Sequence, residues 1–404
     1  MVMRCSPFAF PLVFVLTLSA SASAQEEPSL RSTVFDLTAN IAAPQTGEAI
    51  GLATALEVAN APTGSSAGGF VFKLDPATGL RVRTAPTFGP SFTERALTQG
   101  EGKVSFGVSL AVATYDKLNK LDLKQMLLTH ATGAAVSSQL DGYSSMVLTS
   151  QSTVISAAIG ATDKFDVGVL LPLVKVKLDG TSWDQLPSGQ VIEFMSRTIE
   201  SSGLGDIGVT GKYRVANFGE GQPDPGGVAV MLTTRLPTGN RENFRGLGIT
   251  RVQGTVIASG GIGKFRPHGN VGFDWWEKGL EVDTDFTGNN RVGARHQVIA
   301  AGGFEFQAGP KVTLLTDVLF RKILGGGQVR VQDVPVPPDL ISKGIASLTQ
   351  AVATDKGIQK LTLAPGLKWN LKGSFVFAGN ALISLKDNGL HDMFTPVVGL
   401  DWTF

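Results

Sequence analysis

The chain has 404 residues, 49 of them glycine, and its 35 Lys and Arg against 34 Asp and Glu give a formal net charge of +1. So even a balance offers no basic surface for nucleic acid, and the single cysteine, Cys5, excludes a disulfide scaffold and thiolate metal ligation. Beyond residue 24 no run of about 20 apolar residues occurs, which excludes a transmembrane helix.

Residues 1–24 have the make-up of a secretory signal peptide: Arg4, an apolar run from Phe8 to Leu18, and Ala22-Ser23-Ala24 before Gln25. Without Arg4 the basic count falls from 35 to 34, equal to the acidic count of 34. Residues 25–102 form a separate N-terminal segment. Ile50, Ala53, Leu56 and Ala59 lie roughly on one helical face, so a helix is expected over 48–60, stopped by Pro62. A hairpin is expected between 70–74 and 80–84, across a turn-rich loop at Asp75–Gly79. Ser91 and Glu94 have capping-box spacing ahead of Arg95.

From Lys103 the pattern becomes regular. Val104, Phe106, Val108, Leu110 and Val112 alternate with Ser105, Gly107, Ser109, Ala111 and Ala113, which is the clearest strand in the chain. Similar strands are expected near 145–161, 164–178, 204–217, 227–237, 249–263, 269–280, 294–308, 311–323, 360–371, 374–386 and 395–404. With 103–115 they make about twelve, of the length a tilted spanning strand requires. Long connections (116–144, 179–203, 238–248, 281–293, 324–359, 387–394) alternate with short ones. That alternation characterises an outer-membrane barrel with its short turns, and both ends of the barrel, on the periplasmic side.

Aromatic residues point the same way. Phe165, Phe265, Phe304, Phe306, Phe375, Phe377, Trp402 and Phe404 fall near turn-side strand ends, with Tyr115, Trp275 and Phe320 toward the loop side, as interfacial girdles would. Two segments depart from the pattern. Residues 145–161 carry polar side chains on both faces (Gln151, Ser152), and in 164–178 the apolar parity flips near Pro172, where a bulge would account for it. The fold class is therefore all-β: an antiparallel transmembrane barrel of about 12 strands over 103–404, preceded by a small plug-like segment at 25–102.

Thr162–Gly168 before Leu171-Pro172-Leu173, then Gly203-Leu-Gly-Asp-Ile-Gly208 with Lys212-Tyr-Arg214, then Leu236-Pro-Thr-Gly239, resemble the recurring blocks of an outer-membrane β-barrel transporter family labelled for the meta-pathway of phenol degradation. The resemblance spans roughly residues 100–404. It implies uptake of small aromatic compounds and supplies no binding-residue motif. The glycines at 203–208 lack the spacing and the strand-to-helix context of a phosphate-binding loop.

By parity, the lumen-facing charges are Asp206, Lys212, Arg214, Arg235, Arg251, Asp274, Arg295, Glu305, Asp317, Arg321, Lys368 and Asp401. They read either as a structural ion-pair network or as a polar constriction with a mild anion preference. Glu94 and Arg95 of the segment are placed to pair with them if it plugs the barrel; the competing picture is a periplasmic appendage. Trp402 and Phe404 resemble the C-terminal signal read by the barrel insertion machinery. None of His130, His268, His296 and His391 has metal-ligand spacing with another, so neither metal, cofactor nor enzyme activity is expected. His296 near serines is the one hydrolase candidate. The functional expectation is an outer-membrane channel for a small solute in contact with outer-membrane lipid. The alternative is a non-conducting structural or surface-interaction barrel.

Overall fold

The computed structural model describes residues 28–39, 44–65, 71–74, 81–83, 85–136, 138–218, 226–284, 290–386 and 388–404. The expected signal peptide and the hairpin loop at Asp75–Gly79 lie outside them, as do Phe70, Leu80 and Thr84 of the expected hairpin strands. Twelve antiparallel strands close a barrel. They are β1 (Val104–Tyr115), β2 (Ser138–Thr162), β3 (Phe165–Gln185), β4 (Gly208–Asn217), β5 (Gly227–Arg235), β6 (Arg251–Ser259), β7 (Phe265–Trp276), β8 (Arg291–Gln307), β9 (Val312–Gly325), β10 (Gln359–Lys372), β11 (Phe375–Ser384) and β12 (Phe394–Thr403). Each pairs with its neighbour, and β12 closes on β1 through Trp402 opposite Phe106.

The alternation expected from sequence sorts the side chains. In β4, Val209, Tyr213 and Val215 are exposed on the outer face, while Thr210 and Lys212 are buried inside. A continuous outer belt that includes Phe106, Val108, Val230, Val256, Leu314 and Leu367 is exposed and apolar, a surface that needs lipid rather than water against it. At the turn side the rings cluster: Phe265 and Phe304 are 5.1 Å apart, Phe375 and Trp402 5.1 Å, Trp402 and Phe404 4.7 Å. Tyr115 does not belong to the loop-side girdle. It points inward, 4% exposed, with its hydroxyl 3.2 Å from Ser150.

There is no bulge at Pro172. The β2–β3 register runs evenly through Val154 opposite Pro172, and even-numbered residues face inward from Asp166 to Leu178. The apparent parity flip comes from an exchange of environment. Outside, lipid-facing Val169 and Leu173 give way to Lys175 and Lys177 as the strand rises out of the belt; inside, Val174, Val176 and Leu178 meet the apolar cap described below. Pro172 sits where β3 changes neighbour, from β4 at Leu170 to the strand Val191–Leu204 at Leu173, so its missing N–H interrupts no continuous ladder. Gln151 has the same explanation: it lies opposite Lys175 at the top of the belt, and Ser152 lines the lumen.

Above the belt, the long connections are folded. Met126–Gly133 pairs with β2 and with Ile345–Thr354, which pairs with Gln328–Asp333; Val191–Leu204 pairs with β3.

The N-terminal segment occupies the barrel interior. Helix α1 (Leu30–Ala39) starts at Ser29, whose hydroxyl accepts from the Ser32 N–H, and α2 (Pro44–Ala59) covers the expected helix. Leu30, Val34, Leu37, Ile50, Leu52 and Leu56 form one core with inward residues at the loop end of the barrel, among them Leu148, Val176, Phe244, Trp276, Ile323 and Val329. The described start of the chain therefore lies at the loop side: Leu30 N–H donates to Asn243 Oδ1 (3.1 Å), and Arg31 pairs with Glu242 (3.1 Å). Strands at Phe72–Leu74 and Arg81–Arg83 pair as expected. Ser91–Glu94 starts no helix. Residues 85–99 cross the inner wall at the turn side without regular secondary structure, bending at 86–87, 91–93 and 96, and Gly100 (φ 96°) and Gly102 (φ 72°) turn the chain into β1.

Candidate functional site

Between the helical cap and the strap at 85–99 lies a chamber of about 250 Å³. Its ceiling is Glu57–Thr63, its floor includes Phe92 and Glu94, and its wall combines Ser150, Ser152, Thr233 and Thr255 with Leu170, Met231, Ile299 and Leu319.

The ceiling is the C-terminus of α2, where the last carbonyls have no partner in a following helical turn and partial negative charge accumulates. Three barrel cations meet it. Arg251, fully buried, donates to Asn60 Oδ1 (2.6 Å) and Ala59 O (3.2 Å), with Asp274 3.6 Å away. Arg321 donates to Asn60 O (2.5 Å) and Glu57 (3.0 Å), and Lys360 lies 3.3 Å from the same Glu57 carboxylate. Asp274 is held in turn by Gln297 (2.7 Å) and the Trp276 indole (3.2 Å).

The floor is fixed differently, by inward side chains bonding to strap backbone. Thr313 Oγ1 accepts from Phe88 N–H (3.3 Å), Glu305 from Gly89 (3.0 Å), Asp317 from Phe92 (3.0 Å), Asn270 from Glu94 (2.7 Å), Ser259 from Ala96 (3.0 Å) and Asp166 from Gln99 (3.1 Å). Lys368 donates to Pro90 O (2.9 Å) and reaches Asp401 at 3.5 Å. His268 braces Asp317 at 2.7 Å. A Cβ at Gly303 would stand 2.6 Å from Asp317 and 2.9 Å from His268, so only glycine leaves room for that pair.

The charges expected in the lumen are thus placed as follows. Lys212 pairs with Glu94 (3.3 Å) and Asp166 (3.8 Å), and Glu94 turns to it rather than back to Ser91 as a capping box would require. Arg95 is buried beside the wall. Arg214 donates to Asp163 O (2.8 Å), and Asp206 accepts from Gly239 and Leu247 N–H (both 3.1 Å). Arg235 donates to Gln253 (3.1 Å). Arg295 is the exception. The register shifts between Arg295 and Gln297, with His296 at φ 44°, so the bulge reverses parity and sends Arg295 outward, 3.2 Å from Glu281. His296 accepts from Trp276 N–H (2.9 Å) and stacks on Trp275 on the outer face. Sequence reasoning missed Glu57 and Asn60. The usable signal was a carboxylate and an amide at the end of a helix facing a basic lumen.

No protein-family model and no curated protein matches the chain. Solved structures do. An outer-membrane channel from Pseudomonas putida F1 is similar at 14% identity over 76% of this chain and 98% of that one, with a TM-score of 0.45. A FadL homologue of Pseudomonas aeruginosa is similar at 9% identity over 84% and 96% (TM-score 0.33), and the toluene transporter TodX of P. putida at 9% over 75% and 90% (TM-score 0.31). The likeness is one of barrel fold. At these identities nothing about substrate carries over.

Proposed function

We propose that this chain is an outer-membrane channel for a small solute, held closed by its own N-terminal segment. One observation carries the reading: a single continuous segment bounds the central chamber at both ends, with α1 and α2 at the loop side and the strap at the turn side. A purely structural barrel has no need of a chamber between two stoppers. The apolar outer belt supports a place in a lipid bilayer, and the short turns support a periplasmic orientation for the strap. The chamber's mixture of hydroxyls and aliphatic side chains suits a small amphiphilic solute, in keeping with the aromatic compounds implied by the resemblance.

Flux of a small neutral solute into liposomes tests this. The variant lacking residues 25–98 is expected to admit the solute several times faster than the intact chain. Equal flux would remove the segment as the closure. A second reading, a surface-interaction barrel, draws on the sheet built by Met126–Gly133, Gln328–Asp333 and Ile345–Thr354 above the belt. It expects no flux from either form.

A further inference from the structure

The charged side chains lining the chamber balance three against three, but their pairing leaves one cation without a carboxylate partner. The lining contains Glu57, Glu94, Asp392, Arg235, Arg321 and Lys360. Glu57 serves Arg321 and Lys360, and Glu94 serves Lys212. Asp392 is taken up locally, by Phe394 N–H (3.1 Å), Thr114 N–H (3.3 Å) and the Thr395 hydroxyl (2.6 Å). Arg235 has one hydrogen bond, to the neutral Gln253 (3.1 Å), and among the described residues no carboxylate lies within ion-pair distance of it. Asp206 is near enough to act on it electrostatically, but both Asp206 oxygens are held by the backbone N–H groups of Gly239 and Leu247. Most of the guanidinium's N–H fork is thus left to the lumen.

Arg251 stands directly across from Arg235 on β6 and is engaged with the end of α2, whereas the chamber below the fork is partly apolar. Thr233 and Met231 follow Arg235 down the inner face of β5, and Gly208, opposite Arg235, is itself opposite Leu170. Gly208 adds no side chain, so Leu170 and Met231 flank one pocket below a cation. Its volume of about 250 Å³ is below the ~300–1,000 Å³ usual for drug-sized ligands, which restricts an occupant to roughly one ring or a short chain.

We infer that the chamber binds a small amphiphilic monoanion, its single carboxylate on Arg235 and its apolar body against Leu170 and Met231. The inference rests on the solute-channel reading and adds a charge and a polarity to the solute. A carboxylate matches the planar fork in bidentate fashion, and a second anionic group would find no free cation among the described lining residues.

The test is calorimetric titration of the purified full chain with benzoate and with benzyl alcohol, its neutral counterpart of similar shape. Benzoate is expected to bind at least about tenfold more tightly, and R235Q to abolish that preference while the barrel keeps its resistance to unfolding in detergent. M231W, which fills the apolar end and leaves the cation, should weaken both probes. Equal affinity for the two probes, binding of neither, or a benzoate preference that survives R235Q overturns the inference. Any of these alongside raised flux in the 25–98 deletion would leave the channel reading standing, and so the two failures are distinguishable.

Discussion

The two ends of the chamber are closed by parts of one segment that are built on different physics. The loop-side cap buries a continuous apolar core, with Leu30, Leu37 and Leu56 at 0–1% exposure, and adds the ion pairs at the end of α2. The turn-side strap shares only small apolar contacts with the wall, such as Phe88 on Val376 and Ala96 on Ala229 and Ile257. It is held by barrel side chains bonding to its backbone. Apolar burial is non-directional, whereas a row of backbone N–H groups donating to fixed side-chain acceptors, three of them carboxylates, is satisfied only in one register. The cap is thus held mainly by apolar burial, and the strap by hydrogen bonds that fix its register.

The largest expected effect comes at the junction of the two chemistries. Glu57→Ala removes the carboxylate shared by Arg321 and Lys360 and should destabilise the cap by about 3–5 kcal/mol, since it leaves two largely buried cations short of a partner. Protection of α2 amides against hydrogen exchange reads this directly; unchanged protection contradicts the assigned anchor. Leu56→Ala should cost about 2–5 kcal/mol at the same amides and leave the strap intact. Asp317→Ala should act in reverse. Losing the acceptor of Phe92 N–H and the Thr93 hydroxyl costs about 1–3 kcal/mol, exposes 85–99 to protease from the turn side, and leaves α2 protected. Equal loosening of cap and strap by any one of these substitutions would show that the closures are a single unit. The smallest effect belongs to Arg31→Ala. Its pair with Glu242 is exposed, so under about 1 kcal/mol is expected and cap protection should hardly move.

What the sequence disclosed follows from where water and lipid lie. The twelve barrel strands were legible because each has lipid on one side and a polar lumen on the other, the condition that writes a period of two into the chain. Val191–Leu204 falls within an expected loop for the opposite reason: it pairs only with β3, and its inner face is only partly buried, through Met195 and Ile199 against the cap, with Arg197 and Ser201 between and beyond them. The parity change at Pro172 was visible, but its cause, an inner face that trades lumen for cap, required the position of α1 and α2. Arg295 was misplaced because parity carries no information across a bulge. Lys212 and Glu94 were both in view as candidates, and nothing local to either residue tied them together across 118 positions.

One topological consequence separates this account from a periplasmic appendage. With Leu30 docked on Asn243, a tag inserted next to Pro28 should be reachable from the same side of the membrane as one at 330–345, and one at Thr162–Lys164 should not. Labelling of the 28 and 162–164 sites together would reverse the path of the segment through the lumen.

Single-channel recording in planar bilayers bears most directly on the closure itself. The chain lacking residues 25–98 is expected to open to a steady conductance with a unitary step that the intact chain does not show, together with a lower melting temperature from the loss of both closures. A deletion variant with the same conductance and melting behaviour as the intact protein would contradict that expectation.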